Sequence, residues 1–201
     1  MYIYHFRINN LIFSVNLLLF NVKKYEQTMK KTLIILILVI ISISTFAQKG
    51  PVKWYSIQEA EKLSKSDPRP MLVDAFTDWC GWCKKLDQDT FSNPVIAEIL
   101  NTKYYPVKFD AEGKDEVSFQ GMKFINDGKA GKAHQLAVAM LKGQLSYPNI
   151  VFFNEKNQLL TNVPGYRTPK EMEVLLSYFA DKAYDKQTFQ DYEKSFVGQV
   201  K

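Results

Sequence analysis

Met71-Leu72-Val73-Asp74-Ala75-Phe76-Thr77-Asp78-Trp79-Cys80-Gly81-Trp82-Cys83-Lys84 is the stretch that decides the fold. Its first half, Met71 to Phe76, is a short, almost unbroken apolar run, the pattern of a strand buried on both faces. After Cys83, Lys84-Lys85-Leu86-Asp87-Gln88-Asp89 reads as an amphipathic helix, expected to run from Cys80 to about Thr90. The two cysteines therefore fall where a strand ends and a helix begins. Unpaired N–H groups and the helix dipole stabilise a thiolate at such a place. The pattern puts Cys80 exposed at the helix tip and Cys83 shielded one turn further in.

These are the only cysteines in the chain, and two residues separate them. A disulfide closing so short a loop constrains the unfolded chain very little, so the spacing suits a reversible dithiol/disulfide couple better than a structural staple. A zinc site needs four ligands, commonly two such Cys pairs or one pair plus two histidines. Downstream of the cysteines there is one histidine, His134, and no second pair; a metal or cluster carrier would need a second copy of the chain. His134 reads as an ordinary helix-face residue.

Outward from this centre, the flanking segments alternate between helix and strand patterns. A helix is predicted over Ile57–Lys65, stopped by Asp67-Pro68-Arg69-Pro70, because the residue before a proline is pushed out of helical space. Pro94 opens a second helical stretch through Leu100. Tyr104–Phe109 reads as a strand whose Pro106 removes one ladder donor and is expected where that strand is not yet paired. His134–Leu141 is predicted helical, and Ile150–Phe153 and Leu159–Val163 are predicted strands joined by a turn at 154–157. Thr168 is a predicted N-cap with Pro169 at the first helical position; Met172, Leu175, Leu176 and Phe179 then share one helix face. Thr188–Phe196 reads as a short terminal helix. Between them, 111–133 is polar and carries Gly113, Gly121, Gly128 and Gly131. It is longer than an ordinary strand-to-helix connection and reads as a solvated surface loop, with partner recognition beside the cysteines as the alternative.

The ordered combination resembles the thioredoxin superfamily over roughly residues 54–184. Val73 to Lys84 is similar to that family's strand, active-site loop and helix start. Asp74, six residues before Cys80, stands where the family keeps a buried carboxylate. Ser146-Tyr147-Pro148-Asn149 stands where it places a cis-proline. Asp87 to Phe91, Asn93-Pro94 and Val107-Lys108-Phe109-Asp110 are similar to exported bacterial thioredoxin-like proteins, in particular the soluble C-terminal domain of the periplasmic membrane reductase of the Dsb system. The resemblance implies an α/β thioredoxin fold, a central mixed sheet of about four to five strands flanked by helices. It also implies a thiol–disulfide oxidoreductase acting on protein disulfides, as reductant or electron carrier, with a thioredoxin-fold binding module without turnover as the alternative.

On that basis Cys80 is expected to attack, Cys83 to resolve and Asp74 to transfer the proton, its carboxyl raised by burial in an apolar strand. Lys108 is a candidate partner for Asp74. Trp79, Gly81, Trp82, Tyr147 and Pro148 are the candidate substrate-binding residues. No cofactor is expected beyond the redox-active Cys80–Cys83 disulfide. The expected partners are disulfide-containing or dithiol proteins and a membrane electron donor, around a monomer. Gly81-Trp82 replaces the Gly-Pro of reducing cytoplasmic thioredoxins, which leaves the direction of electron flow open.

The N-terminus carries a different signal. Met29-Lys30-Lys31, the apolar run from Leu33 to Ile43 and the small residues Thr45 and Ala47 form a signal-peptide pattern over 29–47, with cleavage expected after Ala47. The apolar run is shorter than the roughly 20 residues a spanning helix needs; an uncleaved anchor is the alternative. Residues 1–28 read as a non-native upstream extension, with translation starting at Met29; a membrane hairpin is the competing reading. The domain is then 48–201, in the periplasm or otherwise outside the cytoplasm. The whole chain has 26 basic and 21 acidic residues, but residues 1–47 hold five of the former and one of the latter. The remaining 21 against 20 is close to neutral and gives no support for nucleic-acid binding.

Overall fold

A computed structural model of the chain describes Met29 and residues 50–201. The expected upstream extension, and apart from Met29 the signal peptide with its cleavage site, lie outside the described residues. The elements below all belong to the compact unit Gln48–Lys201.

The first helix, α1 (Ile57–Ser64), starts at Ser56, whose hydroxyl accepts the Glu59 N–H while the Glu59 carboxylate reaches back to the Ser56 N–H, a reciprocal capping box. It stops just before the Asp67-Pro68 break. Strand β1 (Met71–Phe76) follows with the predicted bounds. Helix α2 (Gly81–Leu86) then runs into a π-helical turn at Asp87–Phe91 in place of the predicted α-helix. Adjacent Thr90 and Phe91 are both buried there, and the Thr90 hydroxyl donates to the Arg167 carbonyl at 2.7 Å. An α-helix rotates consecutive side chains about 100° apart, and the wider turn reduces that angle. Helix α3 (Pro94–Lys103) begins at the predicted proline with Asn93 as cap, and β2 (Tyr105–Asp110) follows.

Four strands make one mixed sheet in the order β2-β1-β5-β6, with β5 at Asn149–Phe153 and β6 at Leu159–Pro164. β1 runs parallel to β2 and antiparallel to β5, so the strand preceding the cysteines is central. That explains its unbroken apolar pattern: alternate side chains feed two different cores. Val73 and Ala75 join Val107, Phe109, Val151 and Leu136 on one face. Leu72 joins Leu86, Ile96, Ile150, Phe152 and Leu176 on the other. The second face is covered by α2, α3 and α5 (Pro169–Ala180), the last capped by Thr168 with Pro169 in its first turn as predicted. Ala183–Asp185 forms one 3₁₀ turn before α6 (Phe189–Ser195).

Three expectations need correction. Pro106 lies inside β2 in register with Leu72. β2 is the edge strand of this sheet, and the Pro106 carbonyl faces away from β1 to accept the Tyr55 N–H at 2.9 Å; the missing donor is on that outer side, where it costs the β1 ladder nothing. The stretch 111–133 is not simply a solvated loop. It holds a hairpin, β3 (Val117–Phe119) and β4 (Met122–Phe124), turning through Gln120 and Gly121, both at positive φ (52° and 74°). Phe119 is buried edge-to-face on Phe153, with ring centroids 5.5 Å apart, which anchors the hairpin to the first core. His134, expected on a helix face, is the buried N-cap of α4 (Gln135–Met140). Its Nδ1 accepts the Leu136 N–H and its Nε2 lies 3.0 Å from the Asp115 carbonyl, so the imidazole satisfies a helix end and the insertion together.

Candidate active site

Sheet register assembles the site. Ala75 near the end of β1 pairs with Asn149 at the start of β5. The loop carrying the cysteines therefore leaves the sheet where Tyr147-Pro148 enters it. The Gly165 N–H donates to the Pro148 carbonyl and the Ala111 N–H to the Phe76 carbonyl, both at 2.8 Å. These bonds bring the end of β6 and the start of the insertion to the same end. The Tyr147–Pro148 peptide bond is cis.

Cys80 and Cys83 form a disulfide. Cys80 is the N-cap of α2, and its Sγ accepts the Cys83 N–H at 3.1 Å. A helix N-terminus leaves its first N–H groups without intrahelical acceptors, and here a sulfur takes one of them. The expected exposure of Cys80 is corrected by the structure: Cys80 is 4% exposed and Cys83 2%. The two sulfurs are bonded to each other, and a tryptophan precedes each cysteine. Trp79 and Trp82 are 64% and 59% exposed. The Trp79 ring meets Tyr147 edge-on, centroids 6.1 Å apart, and Trp82 meets Tyr166 at 5.6 Å. Each tryptophan that precedes a cysteine in the sequence thus belongs to an aromatic pair. Gly81 is exposed, and a Cβ there would meet nothing within 4 Å, so packing does not demand glycine.

Asp74 is completely buried on the face of β1 that carries α2. The pairing expected with Lys108 is present: Lys108 Nζ is 2.6 Å from Asp74 Oδ2. Cross-strand register puts the two residues side by side. Lys108 also binds the Asp87 carboxylate, and its ammonium lies 5.1 Å from the Trp54 and Phe76 ring centroids and 5.5 Å from that of Phe91. Burial pushes the Asp74 carboxyl up from 3.8 to about 6; the Lys108 ammonium opposes the rise and the Asp87 charge adds to it. Asp74 Oδ1 is buried and has no hydrogen-bond partner among the described residues. A carboxyl so placed exchanges its proton near neutral pH.

Three residues of this site went unassigned in the sequence. Asp87 lies four residues after Cys83, the spacing that puts two side chains on one helix face. Glu112 Oε2 accepts the Trp79 indole N–H at 3.1 Å, and Tyr166 backs Trp82. Neither of the last two has a sequence signal beyond sitting just past a strand that ends near the cysteines. Among the described residues, no group of three or more His, Cys, Asp or Glu side chains is placed to hold a metal ion, and no helix is long and apolar enough to cross a membrane.

Comparison with known proteins bears on the family and the fold. The family model described as thioredoxin-like domain matches residues 57–180. Spermatogenesis-associated protein 20 of Mus musculus is 28% identical over 120 residues, 59% of this chain and 15% of its own length. The thiol:disulfide interchange protein DsbD of Salmonella typhimurium is 28% identical over 100 residues, 49% of this chain and 14% of its own. The chain therefore spans only a small part of these curated relatives. Among solved structures, a thioredoxin-fold protein from Helicobacter pylori aligns with a TM-score of 0.51 at 15% identity, covering 64% of this chain and 84% of that one, a likeness of fold.

Proposed function

The chain belongs to the thioredoxin-like domain family, and from that premise we propose that it is a thiol–disulfide oxidoreductase acting on protein disulfides through Cys80 and Cys83. The observation that carries this reading is the Cys80–Cys83 disulfide itself, seated at a helix N-cap with a raised carboxyl on the strand leading into it. In the reduced protein the Cys83 N–H that now meets Cys80 Sγ stabilises a thiolate there, and Cys80 is the attacking sulfur. The Cys80 thiolate attacks one sulfur of a substrate disulfide, a mixed disulfide forms, and the other substrate sulfur leaves as thiolate. Cys83 then loses its proton to Asp74 and attacks Cys80 Sγ; the second substrate sulfur leaves, and the Cys80–Cys83 bond is restored. Two electrons pass to the substrate, and Asp74 returns its proton to solvent.

Trp79 and Trp82, next to the cysteines in sequence, with Tyr147 and Pro148 at the same end of the sheet, are assigned to receive the substrate chain. Among the described residues, neither the N–H nor the C=O of Tyr147 makes a hydrogen bond, which leaves both to pair with an extended substrate segment. We place the protein outside the cytoplasm, as reductant or electron carrier recharged by a membrane electron donor. The signal-peptide pattern of residues 29–47 supports that location.

The test is insulin reduction by dithiol, comparing wild type with Cys80→Ser. Wild type is expected to turn over and the variant to fall to the uncatalysed rate; equal, negligible rates for both would refute the reading. The reduction potential then fixes direction, since values near −270 mV mark reducing relatives and values near −120 mV oxidising ones.

A further inference from the structure

The aromatic pair on the Trp79 side of the disulfide carries an electrostatic feature that the Trp82 side lacks. Glu112 holds the Trp79 indole through the 3.1 Å bond from Nε1, and the Asp110 carboxylate, two residues earlier, accepts the Glu112 N–H at 2.9 Å. Both carboxylates act on Tyr147: after burial, their negative charges are what push its phenol upward. Among the described residues neither Asp110 nor Glu112 belongs to an ion pair. Lys108, two residues before Asp110 in β2, is committed to Asp74 and Asp87 instead. On the Trp82 side, by contrast, Lys85 lies 5.7 Å from the Tyr166 ring centroid and is paired with Asp89 at 2.5 Å, so a carboxylate there is already answered by a cation.

Two aromatic rings, one of them 64% exposed, thus stand beside a redox-active disulfide with two unneutralised carboxylates next to them. A cation is attracted to an aromatic face and to a carboxylate, and both attractions strengthen where water is partly excluded. An anionic side chain would meet repulsion at the same place. We propose that Trp79, Tyr147, Glu112 and Asp110 form a subsite for a cationic side chain, so that the preferred substrates are polypeptides bearing Lys or Arg close to the cysteine that Cys80 attacks. This rests on the oxidoreductase reading and names the substrate class of that site. It also gives the insertion a role: Glu112 sits at its start, and Asn126 Nδ2 ties the insertion together by donating to the Glu112, Gly113 and Lys132 carbonyls.

The experiment measures kcat/KM of the full-length protein, kept reduced by a supplied dithiol, on peptide disulfides that share one sequence and differ only at the residues within two positions of the cysteine. Those residues are Lys, norleucine or Glu. A cation–π contact combined with partly exposed charge pairing predicts roughly five- to tenfold faster reduction of the best Lys peptide than of its norleucine counterpart. The Glu peptide should be slowest, and the spread should shrink in high salt. Glu112→Gln keeps an oxygen to accept the Trp79 indole N–H and removes only the charge, so the Lys-to-Glu ratio should drop severalfold. Equal kcat/KM for all three peptides, or a Lys preference that Glu112→Gln leaves intact, overturns the subsite while leaving the oxidoreductase reading in place. Failure to reduce any peptide overturns that reading and the subsite with it.

Discussion

Replacing Asp74 by Asn should make the protein more stable, and by an amount that depends on pH. In the folded chain the carboxyl titrates near 6, against 3.8 for the ordinary group, because burial disfavours its charge more than Lys108 favours it. At 1.36 kcal/mol per pH unit, that difference is about 3 kcal/mol. The sign follows from proton counting. Between pH 3.8 and about 6 the folded state holds a proton that the unfolded state has released, so wild-type stability falls as pH rises through this window. Below pH 3.8 both states are protonated and the penalty is absent; above about 6 it is complete. Asp74→Asn has no such group. Urea unfolding of the oxidised proteins at pH 4, 5, 6, 7 and 8 should show the variant gaining on wild type by about 2 kcal/mol across the series, nearly all of it before pH 7, the remainder lying below pH 4. A constant difference between the two proteins, or one that shrinks as pH rises, would refute the assignment of a raised carboxyl to Asp74.

Related changes test other parts of the structure. Lys108→Met removes the ammonium that opposes the rise of Asp74, so the same stability transition should move above pH 6, read from the same unfolding series. Phe119→Ala should cost roughly 3–5 kcal/mol in urea unfolding, the range for a buried aromatic, if the hairpin is anchored to the core as its contact with Phe153 indicates. A loss under 1 kcal/mol, as expected for an exposed loop residue, would count against that anchoring. Thr168→Ala should cost about 1 kcal/mol of thermal or urea stability by removing the cap of α5. Gly198→Ala would place a Cβ 2.4 Å from Glu173 Oε2, the buried carboxylate that accepts the Gln199 and Val200 N–H groups. The last residues, held to Glu173 by those two bonds, should then detach, and trypsin should cleave after Lys194 several times faster with little change in the unfolding midpoint.

How far the sequence alone reached depended on the range of each interaction. The bounds of β1, the cap and first proline of α5, the apolar face of that helix and the position of the two cysteines between strand and helix were all legible. Each is set by residues within a turn or two of one another, through backbone restriction, side-chain capping or periodic burial. The pairing of Lys108 with Asp74 was within reach as well, because adjacent strands in a parallel ladder put matching positions side by side. Tertiary structure alone decided the rest. Near-complete burial of Cys80 comes from its bonded partner and surrounding side chains, not from its place at a helix tip. Asp87 became a third member of the Asp74 cluster through the helix seated on β1, and Glu112 reached Trp79 because two strands end at one edge of the sheet. The insertion looked solvated since its large anchoring side chain, Phe119, finds its partner Phe153 more than thirty residues away. Local chemistry writes elements into a sequence; which side chains then meet depends on how those elements stack, and a linear pattern holds no measure of that distance.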